Sequence, residues 1–155
     1  MSAAKPTRPR ISPMVAELIR TADLIVFPVG SFHTSVVANL LPVGVADAIA
    51  DSAAPKVYVP NPGPDPEEAG MDVADKTATL LQYLQRAAAP STPVDRLLDA
   101  VVVDAAASGI DAACLRRIEG LGVEVIDADI TSTADRSRLD DDRAVDALLA
   151  LTARR

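Results

Sequence analysis

Asp23–Leu41, DLIVFPVGSFHTSVVANLL, decides how the rest of this 155-residue chain is organised. Leu24, Ile25, Val26 and Phe27 read as a strand and Pro28-Val29-Gly30 as a tight turn. Ser31, Thr34, Ser35 and Asn39 then fall on what the spacing predicts to be the first turns of a helix. A helix N-terminus presents backbone N–H groups without intrahelical partners and the positive end of the helix dipole, so this turn is a candidate anion site. Hydroxyl and amide side chains there can bind the anion's oxygens or can cap the helix they begin, which is their usual role. Spacing alone leaves both readings open.

Outward from this stretch, helices and strands alternate. Ser12-Pro13 is an N-cap followed by Pro at the first helical position, and Met14, Val15, Leu18 and Ile19 form the apolar face of a helix to about Thr21. The first strand is expected over residues 23–29. Pro42 interrupts the following helix, which resumes from Gly44 to Asp51. Residues 56–61 are a second strand, residues 72–88 a helix with Val73, Thr77, Leu80, Leu81 and Leu84 at helical spacing, and residues 100–104 a third strand. That third strand is nearly all apolar, as suits a sheet covered on both faces. Asp111 caps a helix to Gly120, residues 123–130 form a fourth strand, and Asp140–Asp142 begin a last helix whose N-terminal dipole they complement. The result is an α/β fold with a Rossmann-like, mostly parallel sheet, helices on both faces, and ligands expected at the carboxyl ends of strands. Residues 1–10, with Lys5, Arg8, Arg10 and two prolines, read as a flexible lead-in to one domain over residues 11–155. The loop at residues 60–70, with four prolines, one Asp and two Glu, reads as too polar to pack inside.

Composition narrows the partners. A net charge of -7 and a pI near 4.6 exclude a polyanion such as nucleic acid, whose binding rests on clustered Lys and Arg. With 3% aromatic residues and no Trp there is no base-stacking platform. Cys114 is the only cysteine, so no intramolecular disulfide forms. The polar, Pro-rich first residues have no apolar h-region and there is no apolar run of membrane length, so no signal peptide and a cytoplasmic location are expected. His33, the only histidine, lies inside the turn and suits packing or solvent exposure better than acid–base work, despite an intrinsic pKa of roughly 6.5. No His/Cys cluster has zinc spacing, and Ser31 has no triad partners in so His-poor a chain.

The residues Ala22, Asp23, Ile25, Val26, Gly30, Ser31, Thr34, Ser35, Asn39, Leu40, Leu41, Gly44, Val45, Ala48 and Ile49, followed by Pro55-Lys56-Val57-Tyr58-Val59 and Asn61, form a pattern. It resembles the 2-phospho-L-lactate transferase (CofD-like) family, which includes the gluconeogenesis factors that bind nucleotide sugars. The tail RLDDDRAVDALLAL, from Arg138 to Leu151, is similar to that family's last helix, so the resemblance runs from about Ile11 onward. It implies that Gly30, Ser31, Thr34, Ser35 and Asn39 contact the phosphates of a nucleotide-linked ligand, with Asn61 on the same edge of the sheet. Two departures stand out. Members have Gly-Pro-Gly-Ser where this chain has Pro28-Val29-Gly30-Ser31, and Thr-Gln-Pro-Gly-Glu-Thr where it has Pro62-Gly63-Pro64-Asp65-Pro66-Glu67-Glu68. A lost Gly removes freedom for positive φ, so turn geometry is expected to differ, and base recognition does not transfer.

Family members are longer and begin with a strand and a Gly-Gly-Thr-Gly turn that has no counterpart here, so this chain resembles the C-terminal half of the family fold. Three charge-assisted hydrogen bonds at ~1.5 kcal/mol each give ~4.5 kcal/mol, or about millimolar affinity. Tight binding is therefore expected to need a complementary N-terminal half or a homo-oligomer, and the chain alone to be inactive. The resemblance implies transfer of a phospholactyl-type group from a nucleoside diphosphate in deazaflavin cofactor biosynthesis, with Mg²⁺ dependent on the missing half. Two alternatives stay open: a non-catalytic nucleotide-sugar-binding regulator, and an α/β domain whose polar turn only caps a helix.

Overall fold

In a computed structural model that describes residues 8–153, β1 (Ile25–Phe27), β2 (Lys56–Tyr58), β3 (Ala100–Val103) and β4 (Glu124–Asp127) lie side by side in that order, every pair parallel. The second strand is shorter than its apolar run because Pro60 cannot donate to a ladder. Between and after them come α1 (Pro13–Arg20), α2 (Val45–Asp51), α3 (Val73–Ala87), α4 (Ala105–Ser108), α5 (Ala112–Glu119) and α6 (Asp141–Thr152). The caps read from the sequence form: Ser12 accepts from the Val15 N–H at 3.2 Å and Asp111 from Cys114 at 2.7 Å, and Asp140, at the start of the acidic run, also accepts from Arg143 at 3.1 Å. Asp72 and Asp75 make a reciprocal capping box at the start of α3.

Alternation along the strands divides the interior. Phe27, Tyr58, Val101 and Val103 meet Ile49 of α2, Leu80 and Leu84 of α3 and Ile118 of α5 on one face. Val57, Val59 and Val102 point the other way, onto Ile130 and onto Ala144 and Leu151 of α6. Helices thus cover both faces of a parallel sheet, as its apolar strands require, with α2, α3 and α5 on one side, joined there by Ile19 of α1 and Ala105 of α4, and α6 on the other.

Three segments differ from expectation. After Gly30 there is no α-helix: Phe32–Val36 form one wide π turn and Val37–Leu40 a tight 3₁₀ turn. The Ser31 carbonyl accepts from both Ser35 (2.8 Å) and Val36 (3.3 Å). The run Thr34-Ser35-Val36-Val37 consists of β-branched or hydroxyl-bearing residues, whose weak helix preference yields to tertiary demands. Secondly, part of the proline-rich loop is buried, although Pro64 and Pro66 stay exposed. Glu68 is buried, with Lys76 Nζ 2.7 Å from its carboxylate, so a partner of opposite sign compensates the polarity that argued against burial. Thirdly, the expected lead-in is docked at its end: Val43 N–H donates to Pro9 O (2.8 Å) and Ile11 N–H to Val43 O (3.1 Å). The rest of that expectation, residues 1–7, lies outside the described residues.

The Lys76–Glu68 pair, with side chains 8% and 4% exposed, makes a stability test. Lys76→Met alone is expected to lower the unfolding free energy by about 3–5 kcal/mol by leaving a buried carboxylate unpaired. The double variant Lys76→Met/Glu68→Leu is expected to recover most of that loss in urea denaturation.

Candidate functional site

At the carboxyl end of β1 the backbone turns at Gly30, whose φ of +150° suits a residue without Cβ. Asn61, just beyond β2, holds that turn with both ends of its amide. Its Oδ1 accepts from the Gly30 N–H at 2.8 Å and its Nδ2 donates to the Gly30 carbonyl at 2.8 Å. The side chain thereby continues the pairing of the first two strands past the point where the ladder ends.

The next donors converge on carboxylates of the proline-rich loop. Phe32 N–H donates to Asp65 Oδ2 (3.2 Å), while the His33 and Thr34 N–H groups both donate to Glu67 Oε2 (2.7 and 3.0 Å). The Thr34 hydroxyl donates to Glu67 Oε1 at 2.8 Å. The turn therefore does bind an anion, and that anion is the chain's own Glu67. The Thr34 N–H, then the Thr34 hydroxyl, hold the Glu67 carboxyl below the usual carboxylate range. Asp65 in turn accepts from the Glu67 N–H at 2.9 Å, which fixes the loop in register with the turn.

The six residues expected to act together fall in three surroundings. Gly30, Ser31 and Asn61 line a cleft of about 520 Å³ whose far wall includes Ser137, Arg138 and Asp141. Thr34 is engaged by Glu67. Ser35 and Asn39 line a separate apolar groove beside β1, and Asn39 Nδ2 donates to Ser35 O at 2.6 Å, tying off its own turn. His33 is exposed and meets Phe32 edge-on, ring centroids 5.0 Å apart.

Sequence reasoning did not find Asp65, Glu67, Gly63 or Arg138. Gly63 is set by contact: a Cβ there would stand 2.8 Å from the Ser137 carbonyl oxygen, and this close approach brings the segment bearing Arg138 to the cleft. A second cleft of about 320 Å³ lies across residues 60–63 and includes Lys76, Asp104, Cys114 and Thr131. The Thr131 hydroxyl, donating at 2.6 Å, is the first cause holding the Asp104 carboxyl below its usual range, and Ala107 N–H donates to its other oxygen at 2.9 Å. Burial, then the charges of Glu68 and Asp65, push the Tyr58 hydroxyl far upward, so it stays protonated. Among the described residues no group of three or more His, Cys, Asp or Glu side chains could hold a metal ion. No helix among them is long and apolar enough to cross a membrane.

A family model described as 2-phospho-L-lactate transferase CofD matches residues 2–141, a span that includes the Gly30 turn and the loop that holds it. The chain belongs to the CofD family. A Thermotoga maritima protein carrying the gluconeogenesis-factor name is 44% identical over 75 residues, which is 48% of this chain and 24% of that one. The gluconeogenesis factor of Listeria monocytogenes is 49% identical over 49 residues, 32% of this chain and 15% of its own. A crystal structure of a Bacillus halodurans protein superposes with a TM-score of 0.71 at 25% identity, covering 90% of this chain and 47% of that one. A second crystal structure of that protein, described as a member of the UPF0052 family, gives 0.70. The chain spans less than half the length of the solved CofD-family relative it matches.

Two measurements check the turn. Asn61→Ala removes both bonds to Gly30 and is expected to destabilise by about 1–3 kcal/mol in thermal or chemical unfolding. For Glu67, the folded-state pKa lies below the unfolded value of 4.5, so its contribution is complete above that value and is lost as pH falls through the lower, folded one. The wild type is therefore expected to lose stability more steeply than Glu67→Gln between about pH 5 and pH 3.

Proposed function

We propose that this chain binds the phosphate groups of a nucleoside diphosphate-linked small molecule at the Gly30 turn. The observation that carries the reading is the convergence of His33 N–H, Thr34 N–H and the Thr34 hydroxyl on a single carboxylate. Donors set for two carboxylate oxygens are also set for two oxygens of a phosphate, which brings more negative charge and takes the place of Glu67. Ser31, exposed at the neighbouring cleft, and Arg138 across it supply a hydroxyl and a cation for the remaining oxygens. Gly30 and Asn61 position the turn, and Ser35 and Asn39 support it from the groove side. We place the protein in the cytoplasm, where nucleoside diphosphates occur.

Two finer readings part after the binding step. As a transferase in deazaflavin cofactor biosynthesis, the turn would stabilise charge on a nucleoside diphosphate leaving group while a phospholactyl-type group moves to an acceptor. As a gluconeogenesis-factor-type regulator, it would bind a nucleotide sugar without turnover. The second reading draws support from the names of the relatives, which carry the gluconeogenesis-factor title.

Thermal stability followed against guanosine diphosphate, uridine diphosphate and uridine diphosphate sugars tests the proposal, because a ligand of the native state raises it by mass action. A shift is expected, with Glu67→Gln binding more tightly and Ser31→Ala and Arg138→Ala each about tenfold more weakly, the equivalent of one charge-assisted bond. Guanosine preference supports the transferase reading and uridine-sugar preference the regulator. Absence of a shift with any of these compounds, in wild type and in Glu67→Gln, would overturn both.

A further inference from the structure

Two carboxylates of the proline-rich loop close on the amide of Asn61. Its Nδ2 donates to the Gly30 carbonyl at 2.8 Å, which leaves its other hydrogen for Asp65 Oδ2 at 3.3 Å and Glu68 Oε1 at 3.4 Å. The second Glu68 oxygen, Oε2, meets Lys76 Nζ at 2.7 Å, and both of these side chains are buried. The Glu68 backbone is fixed as well: its N–H donates to Asp65 O and its carbonyl accepts from Met71 N–H, each at 2.9 Å. A continuous line of contacts therefore runs from Lys76 on α3 through Glu68 and Asn61 to the Gly30 peptide, whose N–H donates to Asn61 Oδ1 at 2.8 Å. Stability does not account for the charges in that line, because apolar residues of similar volume commonly replace a buried ion pair without loss. Asp65 and Glu68 bring two like charges to one amide, and the Lys76 ammonium offsets the buried one. The Tyr58 hydroxyl nearby, pushed upward by burial and then by Glu68 and Asp65, stays protonated and adds no further charge.

We propose that Lys76 and Glu68 are positioning residues for the Gly30 turn. The ammonium fixes the carboxylate, and the carboxylate fixes the rotamer in which Asn61 holds the Gly30 peptide by both ends. Without an acceptor at Glu68, Asn61 Nδ2 keeps fewer partners and the side chain turns more freely about its own bonds. The His33 and Thr34 N–H groups, next along the turn, then lose their common aim. Lys76 and Glu68 do not line the cleft beside Gly30, so both act through Asn61, which does. For a phosphate ligand this role rests on the binding proposed above, whereas control of the turn holds with no ligand present.

Amide hydrogen exchange on the full chain tests this role without a ligand. In Lys76→Met/Glu68→Leu, which buries no charge, the Gly30 amide is expected to exchange about tenfold faster relative to Val102 of the buried β3, the equivalent of one lost hydrogen bond. Lys76→Met/Glu68→Gln, whose side-chain carbonyl again accepts from Asn61, is expected to restore the wild-type ratio, which a merely structural pair would not do. Equal ratios in all three proteins would overturn the proposal, as would a Gln variant that folds but exchanges like the Leu variant. Should neither double variant fold, the wild type decides. Its two Asn61 side-chain amide protons are expected as separate, slowly exchanging NMR signals, and exchange at the rate of a solvent-exposed asparagine would overturn the proposal. Where uridine or guanosine diphosphate raises the thermal stability of the wild type, the Leu variant is expected to bind about tenfold more weakly and the Gln variant as the wild type does. Equal binding by all three would overturn the role toward the ligand. Absence of binding by the wild type and by Glu67→Gln overturns the proposed function alone, and the Gly30 exchange ratios then decide the role of the pair.

Discussion

Peptide N–H groups at the end of β1 have lost their ladder partners and must find others, because a buried or half-buried donor left alone costs as much as a lost hydrogen bond. Everything around the Gly30 turn answers that requirement. Asn61 pairs with the Gly30 peptide in both directions, Asp65 accepts from Phe32, and Glu67 accepts from His33 and Thr34. These partners come from one stretch, residues 61–67, so the turn after β1 and the loop after β2 fold as one unit. The wide π turn belongs to the same solution, since it aims two successive N–H groups at a single carboxylate oxygen.

The loop's acidity has the same origin. Three carboxylates on a segment of four prolines would repel one another and stay in water if each stood alone. Here Asp65 and Glu67 accept backbone N–H groups, and Glu68 meets Lys76 at 2.7 Å with Asn61 Nδ2 at 3.4 Å. Prolines reduce the conformational freedom the loop loses on folding. Asp65-Pro66 adds a local turn in which the Asp side chain accepts from the Glu67 N–H, so Glu67 projects toward the Thr34 backbone.

The sheet was readable because its signals are periodic and local. The apolar runs at Ile25, Val57 and Val101 and the caps Ser12, Asp111 and Asp140 each report on their own neighbourhood, and the parallel α/β architecture follows from their alternation. The site was less readable because its decisive contacts join residues about thirty apart, such as His33 with Glu67, and nothing in a polar, proline-rich string announces which N–H groups it will meet. Asn61 was legible only as a residue at a strand end, not as the side chain that completes the pairing of β1 with β2. The replacement of a family Gly by Pro28 implies a different turn geometry. Among the described residues Ser91 is the one non-glycine with positive φ, so Pro28 keeps an ordinary backbone while Gly30 retains the positive φ the turn requires.

For the phosphate binding proposed at this turn, an internal carboxylate on the same donors changes what affinity means. A ligand gains at the turn only the difference between its own interactions and those of Glu67, since the donors are satisfied in both states. A monoanionic or carboxylate ligand offers little difference, because it replaces like with like. A diphosphate offers two further sources of gain: additional charge on the same donors, and oxygens that extend past them toward Ser31 and Arg138. Displacing Glu67 lowers the affinity of every such ligand by the same amount, so under the proposed binding a polyphosphate would be favoured over a simple acid by its extra charge and its reach to Ser31 and Arg138, and a single carboxylate would gain nothing net.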